Sequence, residues 1–169
     1  MEYCALMSFG TRHRLSGTVV GVEEGVRYRI EYSVQCNRHW HAREAKINAA
    51  MDGEYTQLLL QVSSEGAWKV SGQPAEHLSG CHDIDLAFTP ATNTIALRRL
   101  NLSVGASGLS RAAYVGFPGL TVSILEQTYR RLSDNAYHYR TNDGSFENTL
   151  TVSEQGLVIS YPPFWEKVG

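Results

Sequence analysis

The residues best suited to chemistry lie between positions 80 and 100. Asp83 and Asp85 flank Ile84 in a segment that alternates polar and apolar side chains, which predicts a half-buried strand. Because alternate residues of a strand share a face, we expect both carboxylates on the same side of a sheet. Carboxylates in this arrangement can pair with arginine, bind a polar ligand or act as an acid–base pair.

The chain just downstream supplies further polar groups. Thr89 followed by Pro90 is typical of the start of a short helix or 3₁₀ turn, because a threonine hydroxyl caps free N–H groups and proline suits the first helical position. We therefore predict a helical or 3₁₀ connection near 89–99. It carries five side chains that can contact a polar ligand, namely Thr92, Asn93, Thr94, Arg98 and Arg99.

Two interpretations of this cluster stay open. In the first, its hydroxyl and amide groups hold a sugar or phosphate head group near the free donors of the helix start, and Arg98 or Arg99 adds a charged hydrogen bond. In the second, Asp83 and Asp85 pair with the two arginines to fix a long connection across the sheet, and Asn93 satisfies backbone groups of the loop. The first makes the cluster a binding site, and the second makes it structural.

An enzymatic role for the two carboxylates is a further hypothesis. Two residues apart on a strand, their Cα atoms would stand about 6.5 to 7 Å apart, which could place the carboxyl groups at glycosidase distance. No sequence neighbour clearly raises either pKa, and the chain holds no nucleophile elbow, phosphate loop or nucleotide fingerprint. We therefore predict a protein that is not an enzyme and needs no cofactor.

A metal site is a separate hypothesis. Cys36, His39 and His41 place a thiol just before two imidazoles on one face of a strand, and Cys81 with His82 could add a ligand from elsewhere. Structural zinc sites normally use paired chelating turns, not alternating strand positions. We therefore predict surface histidines beside a buried cysteine, and no metal.

A period of two dominates the remaining sequence and predicts antiparallel strands. The run 26–34 alternates apolar and polar residues, as do 58–62, 146–152 and 157–161. Glycine lies between such runs, where a positive φ helps to reverse the chain. These turns are predicted at 23–25, 52–53, 64–66, 142–144 and 154–156.

Two segments depart from simple alternation. The apolar residues of 120–132 fit both helical and strand spacing, and the β-branched content favours a long, bent strand. On that strand Gln127 and Tyr129 would share a face, which makes them secondary candidates for ligand binding. In 39–49 the alternation changes phase, which predicts a bulge near Arg43 and Glu44.

Several motifs in the chain resemble a known bacterial family. The central motifs are Gly80-Cys81-x-Asp83-Ile84-Asp85-Leu86, Thr89-Pro90-x-Thr92-Asn93-Thr94-Ile95 and Arg98-Arg99-Leu100. Tyr28-Arg29-Ile30, Trp40-x-x-Arg43, Gln127-x-Tyr129 and Gly156 to Pro162 follow the order that the family shows. The chain is thus similar to the bacterial glycolipid-binding family, formerly a domain of unknown function. The resemblance implies a curved, many-stranded β structure like that of lipoprotein localisation factors, with a lipid-like ligand and no established binding residues.

Length and charge limit the remaining possibilities. A chain of 169 residues with no divided composition predicts a single domain over 1–169. The net charge of −2 is spread evenly, so neither nucleic acid nor an anionic membrane is an expected partner. No stretch reaches the ~20 apolar residues of a membrane span. The three scattered cysteines and an acidic, interrupted amino terminus that reads as a strand predict a cytoplasmic protein.

These observations combine into one expected architecture and two functions. We predict an all-β, mainly antiparallel open barrel or clamshell that holds a lipid or glycolipid in its hollow without catalysis. Alternating side chains such as Tyr32, Leu60 and Leu150 would line that hollow, or would simply form the core. The alternative is a packed barrel that binds a protein partner through an open strand edge. The sequence leaves the oligomeric state open.

Overall fold

The computed structural model describes residues 1–23 and 25–168. Glu24, in the predicted turn 23–25, and Gly169 lie outside the described residues. The strands are β1 (Glu2–Phe9), β2 (Arg12–Glu23), β3 (Val26–Asn37), β4 (Ala42–Met51), β5 (Glu54–Val62), β6 (Trp68–Val70), β7 (Gln73–Pro74), β8 (Asp83–Leu86), β9 (Ser107–Val115), β10 (Val122–Arg131), β11 (Ala136–Thr141), β12 (Glu147–Val152), β13 (Val158–Tyr161) and β14 (Trp165–Glu166). The helical elements are the 3₁₀ turns Glu76–Leu78 and Pro90–Thr92 and the helix α1 (Asn93–Leu100).

The strands form two seven-stranded sheets, one of which curls into a half-barrel. The first sheet has the order β1 to β7, and each strand pairs antiparallel with the next. The second runs from β14 to β8 and is antiparallel except for the pair β8–β9. A parallel pair needs a long crossover connection, and α1 lies in that connection. The prediction of a mainly antiparallel, curved all-β fold with one short helical segment is confirmed.

The local predictions follow the same physics. Gly53 and Gly144 have φ values of 92° and 73° in turns that join paired strands, as reversing glycines should. Segment 120–132 forms the strand β10. Between β3 and β4, Gln35 pairs with Glu44 and Cys36 pairs with Ala42, which leaves Arg43 as the extra residue of the predicted bulge.

Buried side chains form two hydrophobic cores. In the larger core, residues of the first sheet such as Tyr32 and Leu60 meet Leu86 and Val115 of the second. In the smaller core, α1 packs on a layer that includes Leu150. Tyr32, Leu60 and Leu150 are 3%, 0% and 0% exposed, so they serve as core residues.

One carboxylate near the amino terminus ties several elements together. Glu2, on β1, accepts hydrogen bonds from the hydroxyls of Tyr32 (2.6 Å) and Thr89 (2.7 Å). Its other oxygen accepts one from Trp165 Nε1 (3.1 Å), on the last strand. The amino-terminal segment forms a strand, as predicted. The Glu2 carboxylate on that strand links it to β3, to the helical connection and to β14.

Candidate functional site

The helical connection positions most of the predicted polar cluster. Thr89 Oγ1 accepts a hydrogen bond from Ala91 N (3.0 Å), so the expected threonine cap and the following proline begin the 3₁₀ turn. The turn runs directly into α1, which ends at Leu100 and is followed by Asn101, a residue in the left-handed region with φ 44°. Ile95 of this helix belongs to the larger core and Leu97 to the smaller, so burial on both sides fixes α1.

Asp83 and Arg99 form a buried ion pair. The carboxylate accepts hydrogen bonds from Arg99 Nε (2.8 Å) and Nη2 (2.7 Å), and from Ser110 Oγ (2.6 Å). The side chains of Asp83 and Arg99 are 2% and 14% exposed. This contact fastens the carboxyl end of α1 to β8 and β9, which is the structural role proposed for one of the two predicted pairs.

Asp85 lies on the same face of β8 but has neutral partners. Its carboxyl group accepts a hydrogen bond from Thr92 Oγ1 (3.0 Å), which itself accepts one from Leu86 N (3.2 Å). The side-chain amide of Gln127 lies 2.5 Å from its other oxygen. Burial raises the pKa of Asp85, and the hydrogen bonds from Gln127 and Thr92 oppose that rise. The structure therefore separates Asp85 from the expected arginine partner.

Three side chains continue this network to α1. Tyr129 Oη lies 2.6 Å from Asn93 Oδ1 and 2.9 Å from Gln127 Oε1. Asn93 Nδ2 donates to Pro90 O (3.0 Å), which satisfies a loop carbonyl as expected. Burial holds the pKa of Tyr129 well above its usual value, so its hydroxyl keeps its single hydrogen. One hydroxyl hydrogen thus faces two amide oxygens.

A pocket of about 630 Å³ lies at the carboxyl end of α1 and opens at the surface. We call it the arginine pocket. Its lining consists of residues 38–41, in the turn between β3 and β4, together with Arg98, Arg99 and Asn101 from the end of α1.

The turn over the pocket is held by Asn37. Asn37 Oδ1 accepts hydrogen bonds from His39 N (2.9 Å) and His41 N (3.1 Å), and Asn37 O accepts one from Trp40 N (3.0 Å). Trp40 has φ 65°, a left-handed conformation that is unfavourable for a bulky residue. Such backbone strain persists only where the surroundings fix it, and it is concentrated at functional sites.

Arg98 lies over the Trp40 ring, with Cζ 5.8 Å from the ring centroid. The indole also stacks on His13, with ring centroids 3.8 Å apart and an interplanar angle of 6°. Nη2 of Arg98 donates to Gln155 O. A Cβ atom at Gly156 would lie 2.8 Å from Arg98 Nε, so glycine makes room for the guanidinium. Arg98 is thereby fixed between the β3–β4 turn and the turn before β13.

The pocket has an excess of positive charge. None of the salt bridges within the described ranges involves Arg38 or Arg98. Arg38 Nε donates a hydrogen bond to His39 Nε2 (2.8 Å). The pKa of His41 is lowered, first by burial and then by its positive neighbours His82 and Arg99. Anions are the ligands that such surroundings favour.

The family model described as Putative glycolipid-binding matches residues 1–167. The chain belongs to this glycolipid-binding family. Its fold is also similar to the crystal structure of a DUF1089 family protein from Pseudomonas aeruginosa, with 31% sequence identity and a TM-score of 0.85. That match covers 99% of this chain and 92% of the other. No curated protein matches the chain.

In this family member, the nine predicted ligand-binding residues fall into two groups. Six are buried, and Asp85 is half-buried with its carboxyl group bonded to Thr92 and Gln127. The buried six are Asp83, Thr92, Asn93, Thr94, Gln127 and Tyr129. Thr94 Oγ1 has no hydrogen-bond partner among the described residues. Of the nine, only Arg98 and Arg99 line the pocket, where a ligand can reach them.

The residues considered for a metal do not gather into a cluster of three in the described part of the chain. Over 1–23 and 25–168, no three histidine, cysteine or acidic side chains come together as a metal site. The His41 and His82 rings stack with centroids 5.2 Å apart, and burial raises the pKa of Cys36 to about 12. The helical elements of the described ranges include none that is long and apolar enough to span a membrane.

The sequence did not identify Arg38, Trp40 and Asn101 as lining a site. The sequence feature that could have indicated Arg38 and Trp40 is the run from Asn37 to His41, which places basic and aromatic residues in one turn between two strands. Asn101 carried no signal of its own, because its place in the pocket depends on where α1 ends.

Proposed function

We propose that this family member is a non-catalytic binding protein that recognises a glycolipid by its head group, in the arginine pocket. The observation that carries the proposal is the pocket itself, which is about 630 Å³ in volume and exposes arginine, histidine and asparagine side chains. Polar groups fixed on a rigid scaffold orient a sugar head group by hydrogen bonds. The family description supplies the glycolipid class.

The packing of the interior favours recognition of the head group over enclosure of the acyl chains. Tyr32, Leu60 and Leu150 were candidates to line a hollow, and all three are packed in the two cores. An acyl chain would have to displace these side chains, at the cost of the packing that stabilises the fold. We therefore expect the chains to stay in the bilayer while the protein contacts the head group.

The surroundings of the two carboxylates support a non-catalytic role. Asp83 is fully engaged by Arg99 and Ser110, and Asp85 by Thr92 and Gln127. A glycosidase pair must face a shared cleft that admits the scissile bond. These carboxyl groups instead face the interior of the protein.

Co-sedimentation with vesicles tests the proposal. The probes are phosphatidylcholine vesicles alone, and the same vesicles with glucosyl diacylglycerol or with its glycerophosphate-bearing form. We expect the protein to sediment with at least one glycolipid mixture well above the phosphatidylcholine background, and Trp40→Ala to reduce that binding. Tyr55→Ala is the matched control, because Tyr55 is 82% exposed and lies outside the arginine pocket. Equal sedimentation with all three vesicles would contradict the proposal.

A second function is favoured by one feature of the first sheet. β1 is its edge strand, and Tyr3 and Phe9 on that strand are 75% and 61% exposed. An exposed apolar edge can pair with a strand of another protein. This function predicts a protein complex that the double substitution Tyr3→Lys, Phe9→Lys abolishes, together with no glycolipid binding to any vesicle.

A further inference from the structure

We infer that the arginine pocket is built for an oxyanion, so that the head group it binds carries a phosphate or a carboxylate. This inference rests on the proposed function, because it concerns the same pocket and specifies the class of its ligand. Three properties of the pocket support it: unpaired charge, fixed donors and the absence of lining carboxylates.

The first property is charge without a partner. Arg99 is neutralised by Asp83, but neither Arg38 nor Arg98 belongs to a salt bridge in the described part of the chain. Two guanidinium groups at one pocket favour an anion, which offsets their charge and accepts hydrogen bonds from their N–H groups. A neutral sugar leaves both charges uncompensated.

The second property is that the donors are already in place. Arg98 is fixed by the Trp40 ring and by Gln155 O, and Gly156 leaves the space that its guanidinium occupies. Arg38 is oriented by its hydrogen bond to His39, which engages only its Nε. Binding to Arg98 therefore costs little further loss of side-chain freedom, and the Nη atoms of Arg38 stay available as donors.

The third property is the composition of the lining. Protein sites for neutral sugars combine donors with strong acceptors, because each sugar hydroxyl both donates and accepts. Among the residues that the structure describes, no aspartate or glutamate lines the arginine pocket. Asn101 and the histidines are its side-chain acceptors, so donors predominate. This composition matches a phosphate or carboxylate, whose oxygens only accept.

Calorimetric titration with glucose 1-phosphate, and with glucose for comparison, tests the inference on the full chain. We expect binding of glucose 1-phosphate, none of glucose at the same concentrations, and weaker binding as salt is added. Arg98→Gln and Arg38→Gln should each weaken binding about tenfold or more, since each removes a charged hydrogen bond. Arg140→Gln is the matched control. It removes one exposed positive charge from β11, where Arg140 follows the buried Tyr139 and so lies on the opposite face of that sheet.

Arg98 also packs on Trp40, so its substitution could disturb the fold. Arg38 is exposed and does not pack on Trp40, so weaker binding by Arg38→Gln reports the loss of its charge and not a disturbed fold. Glucose 1-phosphate that fails to bind, or that binds equally to Arg38→Gln and Arg140→Gln, would overturn the inference.

The vesicles separate the sources of the oxyanion and the two proposals. Preference for the glycerophosphate-bearing glycolipid, lost in Arg38→Gln, identifies a lipid head group and supports both. Binding of glucose 1-phosphate with no binding to any vesicle supports the oxyanion pocket and contradicts the proposed function. Equal binding of neutral and phosphate-bearing glycolipid, unaffected by Arg38→Gln, supports the proposed function and overturns the oxyanion pocket.

Discussion

Arg99 holds Asp83 by two nearly equal hydrogen bonds, 2.8 Å from Nε and 2.7 Å from Nη2. The pair joins the last turn of α1 to the first residue of β8, and it removes one of the three pocket arginines from competition for a ligand. Arg99 therefore fixes the position of α1 beside the pocket, whereas its neighbour in sequence, Arg98, lines the pocket with its charge unpaired among the described residues. The two adjacent arginines have different roles, and substitutions should separate them.

Asp83→Asn should destabilise the protein strongly. It leaves the guanidinium of Arg99 buried without a counter-charge, which typically costs about 3 to 5 kcal/mol in the free energy of unfolding. Urea denaturation followed by circular dichroism measures that loss. A change below about 1 kcal/mol, the level of an ordinary surface substitution, would show that the pair does not fix the connection.

Asp85→Asn should be tolerated, in contrast to the same change at Asp83. Tyr129 has one hydroxyl hydrogen for two amide oxygens, and this conflict disappears if the Gln127 amide is turned and Asp85 is protonated. Gln127 then donates to Tyr129 Oη and accepts from the Asp85 carboxyl group, so each of these polar groups has a matching partner. Asparagine reproduces the neutral acid, so we expect stability within about 1 kcal/mol of the parent.

The pH dependence of stability checks the protonation of Asp85. Burial raises the pKa of Asp85 in the folded state, so the folded protein keeps a proton that the unfolded chain loses as pH rises. The resulting stability is complete below the ordinary aspartate pKa of about 3.9 and declines as the pH rises towards the raised folded value. Urea midpoints across this range should fall more steeply for the parent than for Asp85→Asn. Identical slopes would mean that Asp85 is not protonated on folding.

Gly156→Ala should weaken ligand binding in the arginine pocket. The added Cβ would lie 2.8 Å from Arg98 Nε and displace the guanidinium from Trp40. Gly144→Ala is the control, since Gly144 also has a positive φ, of 73°, but nothing lies within 4 Å of its added Cβ. Both changes cost backbone strain, about 1 kcal/mol or more. Titration with glucose 1-phosphate should distinguish them, and equal affinities would exclude a role for the fixed Arg98 position.

Glu2→Ala should loosen the contact between the amino-terminal strand and the end of the chain. It leaves the hydroxyls of Tyr32 and Thr89 and the indole N–H of Trp165 without their acceptor. The expected loss is about 2 to 4 kcal/mol, with a change in Trp165 fluorescence. Tyr3→Ala, on the same strand but 75% exposed, should change neither quantity appreciably. An unaltered urea midpoint for Glu2→Ala would contradict the predicted role of this carboxylate.

Strand period and turn chemistry are local properties, and they predicted most of the fold. The alternation in 26–34 predicts the strand that is observed as β3. The phase change near Arg43 predicts the bulge that lies opposite Gln35 and Cys36. The apolar spacing of β10 also suits a helix, and the β-branched content together with the family resemblance favours the observed strand.

The candidate site was harder to predict, because it depends on contacts between distant segments. One of the two interpretations paired the aspartates with the arginines, but the sequence could not show that Asp83 would meet Arg99 or that Asp85 would meet Gln127, which lies 42 positions away on β10. The sequence grouped Arg98 with the polar residues that prove to be buried, whereas in the structure Arg98 packs on Trp40 and lines the pocket. Residue types predicted the polar chemistry, and the fold decided which of those residues reach the surface.

The most direct test of the head-group site is a nuclear magnetic resonance titration of ¹⁵N-labelled protein with a short-chain, glycerophosphate-bearing glucosyl diacylglycerol. We expect saturable shifts confined to the amides of 38–41 and 98–101 and to the Trp40 indole, with Arg140→Gln behaving like the parent. Shifts confined to β1, or spread through the two cores, would contradict it and place the ligand on the strand edge or in the interior.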